Sequence, residues 1–121
     1  IPQYQDYTAR AKLSEPVTLA SNYKTEISTA AQIDGGLPGT DEYTPDVPSD
    51  AENVASADWN GTILTVTMAP VADVGAGIGG TKFTFTPTVE DSTGNVSWGC
   101  KWDGSNTELT PKSCTNSSTS G

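Results

Sequence analysis

Cys100 and Cys114 are the only thiols in a chain that has no histidine. Two cysteines without histidine make a poor zinc site, and neither belongs to a C-x-x-C redox pair. A bridge between them would close a loop of about 15 residues and contribute on the order of 3 kcal/mol in the chain-entropy picture. In a Thr-, Ser- and Asn-rich chain with a weak core, that pattern points to one structural disulfide and an extracytoplasmic life. Carboxylates are the other reactive groups. Glu90 and Asp91 fall in a turn and read as solvated, so no acid pair is tied to an apolar pocket. Asp41, Glu42, Asp46, Asp50 and Glu52 supply oxygens enough for calcium, but their spacing matches no EF-hand loop and they read as a solvated acidic loop. Gly75, Gly77 and Gly80 have Gly-x-Gly-x-x-Gly spacing. A phosphate-binding loop of that kind must open a helix, whereas residues 81–87 alternate as a strand. The expectation is therefore no enzyme, no metal and no cofactor.

The elements that hold these groups begin with residues 1–33, which read as one long helix with two apolar faces. At about 100° per residue, Leu13, Val17, Ala20, Ile27 and Ala31 fall within roughly 80° of one another. Leu19, Tyr23 and Ala30 widen that stripe, and Lys24 is the one charge inside it. Ser14, Thr18, Ser21, Asn22, Thr25, Ser28 and Thr29 fill the opposite arc, so this half should lie on a sheet. Tyr4, Tyr7 and Ala11 form a separate stripe on another side. A small domain cannot easily bury both, so the first turns are expected to meet something else. Pro16 removes a backbone bond inside the helix and predicts a kink. Asp34-Gly35-Gly36 predicts the stop near Ile33.

Residues 34–57 read as a long acidic connection interrupted by Pro45 and Pro48. Strands follow, with Leu64, Val66 and Met68 facing inward on the first and Phe83 and Phe85 on the second. Asp91-Ser92-Thr93-Gly94 is a turn. The third strand puts Val96, Trp98, Cys100 and Trp102 on one face, and a loop with a short strand returns to Cys114. Short connections make the sheet antiparallel.

At 121 residues the chain fits one domain, and its 34% hydrophobic content allows only a modest core. A net charge of −9 argues against nucleic-acid backbone binding and against anionic lipid. No run of eighteen apolar residues spans a membrane, and no secretory signal is visible. The abrupt start, Ile1-Pro2 straight into helix, is compatible with a cut inside a longer helix.

Ile1-Pro2-Gln3-Tyr4-Gln5-Asp6-Tyr7-Thr8-Ala9-Arg10-Ala11 closely resembles the segment after the hydrophobic N-terminal stretch of type IVa pilins, and Leu13-Ser14-Glu15 and Leu19-Ala20 continue it. Trp98-Gly99-Cys100 and Leu109-Thr110-Pro111-Lys112-Ser113-Cys114 are similar to the pilin disulfide loop. Residues 34–94 match only in architecture. The resemblance implies an α+β fold, a long spine helix on an antiparallel sheet of about four strands. Residues 1–121 then form one globular domain: spine helix 1–33, αβ-loop 34–57, sheet 58–103, disulfide-bounded loop 100–114 and flexible tail 115–121.

The same resemblance implies a longer subunit, processed from a leader, methylated and anchored in the inner membrane by an apolar helix that is missing here. Tyr4, Tyr7 and Ala11 would then contact neighbouring subunits in a helical homopolymer. Its other partners would be the inner-membrane assembly machinery and host or abiotic surfaces, with no specific nucleic-acid binding. Adhesion, twitching motility and DNA uptake would belong to the fibre. Ser117, Ser118 and Ser120 are candidates for sugar attachment, whereas the Asn60, Asn95 and Asn116 sequons read as accidental. A major pseudopilin or a minor pilin is the alternative. The two cysteines argue against the first, and the scattered positive charges argue against a DNA-receptor form of the second.

Overall fold

A computed structural model describes residues 2–75 and 77–116, with side chains from Thr8 onward except at positions 72 and 73. Helix α1 (Pro2–Asp34) leads into five strands: β1 (Val54–Trp59), β2 (Leu64–Met68), β3 (Lys82–Val89), β4 (Val96–Trp102) and β5 (Thr115–Asn116). A short helix α2 (Val71–Val74) sits between β2 and β3, and one 3-10 turn (Thr107–Leu109) precedes β5. The sheet order is β1-β2-β3-β4-β5. The first four strands pair antiparallel and β5 pairs parallel with β4.

The helix buries Leu13, Pro16, Ala20, Tyr23, Ile27 and Ala31, a spacing of three or four that keeps one stripe toward the sheet. Ser14, Thr18, Ser21, Asn22, Thr25 and Thr29 are exposed, as the pattern predicts. Lys24 lies within the stripe with its ammonium 5.2 Å from the Phe85 ring centroid, where the ring's negative face receives it. The helix runs through Pro16. The proline ring is fully buried, so it serves as core packing at the cost of one helical hydrogen bond. Gly35, at φ 80°, ends the helix and donates to the Ala31 carbonyl at 2.9 Å.

From the sheet, Trp59, Leu64, Val66, Met68, Phe83, Phe85 and Trp102 complete the core. Phe83 lies between Phe85 and Trp102, with ring centroids 6.1 and 6.2 Å away.

Three particulars differ from the sequence reading. Among the described residues the sheet has five strands, and its first begins at Val54, inside the stretch read as loop. The register of β1 shifts between Val54 and Ser56, which breaks the period-two signal that alternation relies on. Val71–Val74 forms a helical turn before the glycines. Thr115 and Asn116, read as the start of a flexible tail, pair with Lys101 and Trp102.

Candidate functional site

Two surface features flank the described helix. One is the knob closed by Cys100 and Cys114, which are bonded with their Cα atoms 4.5 Å apart. The alternation of β4 puts Cys100 on the helix-facing side, and Cys114 is buried. Inside the knob, Asn106 Oδ1 accepts from the Glu108 N–H at 3.2 Å, and Leu109 is buried against the core. The Asn116 amide donates to the Gly104 carbonyl at 2.8 Å and to Thr110 Oγ1 at 3.1 Å. Arg10 reaches across from α1 and donates to the Glu108 carbonyl at 2.8 Å. The knob is thus fastened by a covalent bond, a side-chain amide and a guanidinium.

The other feature is the long loop between α1 and β1. The Tyr23 hydroxyl donates to the Asp46 carbonyl at 2.6 Å, and the Tyr43 hydroxyl donates to Glu26 Oε1 at 2.6 Å. Burial, aided by the Glu26 carboxylate, raises the Tyr43 pKa. Burial and the nearby Asp46 carboxylate raise that of Tyr23. At the loop's two ends, Glu15 accepts from the Asn53 N–H at 2.8 Å and Trp59 Nε1 donates to the Pro38 carbonyl at 3.0 Å. The carboxylates of Asp41, Glu42, Asp46, Asp50 and Glu52 are on exposed residues. No group of three among the described residues is placed to hold a metal ion.

Between these features, Ala11 is exposed and lines a groove of about 440 Å³ between α1 and the loop, with Leu19 and Pro48. A second, more apolar groove of about 250 Å³ separates α1 from the knob, lined by Leu13, Val17, Leu109 and Pro111. The side chains of Tyr4 and Tyr7 lie outside those described, as do Ser117, Ser118 and Ser120.

A family model described as pilin, a bacterial filament, matches residues 9–115. The chain belongs to the pilin family. Its fold is that of a type IV pilin, a helix on a mostly antiparallel sheet with a disulfide near the C-terminus. This pilin is 29% identical over 126 aligned positions to the fimbrial protein EcpC of Eikenella corrodens, covering 98% of this chain and 78% of that protein. It is 31% identical over 103 positions to a fimbrial protein of Neisseria meningitidis serogroup A, covering 83% of this chain and 59% of that protein. It therefore spans only part of the relatives it matches. The pilin family is a structural one, and this pilin is a structural filament protein.

Sequence reasoning missed three polar ties that fasten the knob and the loop, those made by Arg10, Tyr23 and Tyr43. Only Tyr43 carried a signal, as the lone aromatic within the acidic stretch 40–53.

Proposed function

We propose that this pilin is the globular head of a type IVa pilus subunit that polymerises with copies of itself into an extracellular fibre. The support is the family match over residues 9–115, together with an N-terminal segment that resembles type IVa pilins just beyond their apolar anchor. None of the described helices is long and apolar enough to cross a membrane. The inner-membrane anchor of this proposal belongs to a preceding apolar segment, methylated at its first residue. Tyr4, Tyr7 and Ala11 then contact neighbouring subunits. Apolar helix faces repeated in a heterologous contact that does not close generate a helical filament. The work is mechanical and involves no catalysis. Adhesion to host or abiotic surfaces, twitching motility and DNA uptake are assigned to the fibre and its assembly machinery. Ser117, Ser118 and Ser120 are the places to look for sugar. The Cys100–Cys114 bridge favours this reading over a major pseudopilin.

Mass spectrometry of native fibres under non-reducing conditions tests the proposal. The expected subunit is longer than this chain at its N-terminus, methylated there, and two hydrogen atoms lighter than its reduced form. A native product with two free thiols and no additional N-terminal residues would overturn it. In the full-length subunit, replacing Tyr4 and Tyr7 by alanine should reduce fibre yield while leaving the unfolding curve of the isolated head unchanged.

A further inference from the structure

A third groove, about 370 Å³, runs along the C-terminal half of α1 beside β4. Its two walls differ in chemistry. One wall is the half-buried indole of Trp98. That ring is held in place, since its Nε1–H donates to Ser28 Oγ at 3.0 Å and it packs against Trp59, with centroids 6.3 Å apart and planes tilted by 57°. The other wall is a ladder along the helix from Ser21 to Gln32 that includes Lys24, Thr25 and Ser28. Eleven steps of about 1.5 Å from Ser21 to Gln32 give this wall a length of about 16 Å. Among the described residues, β5 reaches β4 only at Lys101 and Trp102. The stretch of β4 that carries Trp98 is therefore a sheet edge, which leaves the groove open on that side.

A fixed indole opposite hydroxyls, a primary amide and one ammonium is a surface with two requirements. The ring needs an apolar, flat partner, and the helix needs a ligand dense in hydroxyls. A pyranose ring has both, with C–H bonds on one face and hydroxyls at its rim. Among the described residues, Lys24 is the only charge lining the groove; its ammonium, which also lies over the Phe85 ring, carries three donors and favours a carboxylate. An extended polyanion is disfavoured by the net charge of −9.

We infer that the α1–β4 groove binds a short acidic saccharide. One sugar ring stacks on Trp98, its hydroxyls bond to Thr25 and Gln32, and its carboxylate meets Lys24. Because the indole is already immobilised, binding costs it little conformational freedom. The buried area is small, so affinity for one site is about millimolar. Repetition along a fibre would raise it by multivalency. That last step rests on the filament reading, but the site itself does not.

The test uses the 121-residue chain with 3′-sialyllactose as the acidic probe and lactose as the neutral one. Trp59 and Trp102 are 2% and 0% exposed, so ligand-dependent tryptophan fluorescence reports on Trp98. Saturation-transfer NMR on the sugar protons gives a second readout that does not need the indole. Both methods should show saturable binding of 3′-sialyllactose, with lactose about tenfold weaker. Lys24→Gln should remove that difference, and Trp98→Ala should abolish transfer to both sugars. Thr25→Trp, which fills the groove from an exposed helix position without disturbing the core, should abolish it as well. The inference is overturned by the absence of saturable transfer, by equal affinity for the two sugars, or by undiminished binding in Thr25→Trp. None of these outcomes bears on whether the chain assembles into fibres.

Discussion

At Gly104 the backbone passes against the indole of Trp102. A Cβ added there would fall on the six-membered ring. Trp102 cannot yield easily, because it is 0% exposed and its Nε1–H donates to Thr81 Oγ1 at 3.0 Å. Gly104→Ala should therefore behave as an overpacked core substitution, costing about 1–3 kcal/mol. Urea unfolding should show a lower midpoint with an unchanged slope. Gly99 is the matched control. It also lies near the disulfide, but a Cβ there would come no closer than 4.0 Å to the Thr86 carbonyl oxygen. Gly99→Ala should be neutral or stabilising by up to about 1 kcal/mol. Nothing in the local sequence separates these two glycines. The difference comes from where a large side chain two residues away finds its cavity. The cysteine pair was legible because two thiols, no histidine and a small core leave few chemical options. Reducing it should cost on the order of 3 kcal/mol, read as a drop in thermal midpoint between oxidised and reduced protein.

Elements were legible wherever one face is buried. The stripe from Leu13 to Ala31 and the alternations over Leu64–Met68, Phe83–Phe85 and Val96–Trp102 each carry the period of their own structure. The first strand was not legible, because Val54–Trp59 is mostly Ala, Ser and Asp and carries an irregular register. Nor were the clasps on the long loop, since a tyrosine hydroxyl's partner many residues away leaves no periodic trace. Those clasps carry a pH prediction. Tyr23 and Tyr43 both titrate above the ordinary tyrosine value of 10.0 in the folded protein. Below pH 10 both states hold these protons, and the stabilisation is fully present. Above it the unfolded chain releases them first, so stability falls with rising pH. The urea midpoint should decline above pH 10, and Tyr43→Phe, which cannot ionise, should decline less steeply. Equal slopes for the two proteins would show that the Tyr43 proton is not linked to folding.

For the whole molecule, charge is distributed as unevenly as structure. Residues 34–81 contain eight carboxylates and no lysine or arginine, so they account for eight of the nine net negative charges. That segment includes the long loop and β1, at one end of the sheet. Lys101 and Lys112 lie at the other end, on β4 and in the knob. Two opposed effects then act when copies approach. Like net charge repels at distances up to the Debye length, about 30 Å at 0.01 M salt and about 8 Å at 0.15 M. An acidic edge meeting Lys101 and Lys112 of the next copy would attract, but only at contact range and through exposed pairs worth about 0–1 kcal/mol each. Fifteen acidic groups against six basic ones make repulsion the larger effect. The isolated chain should therefore show a positive second virial coefficient by light scattering at low salt, falling as salt is added. Fibre yield of the full-length subunit by sedimentation should rise over the same range. Replacing Asp41 and Asp50 by asparagine and Glu52 by glutamine, all on exposed positions, should flatten both trends without shifting the unfolding midpoint by more than about 0.5 kcal/mol. A fibre yield that falls with salt would mean instead that short-range pairing of the two edges governs assembly.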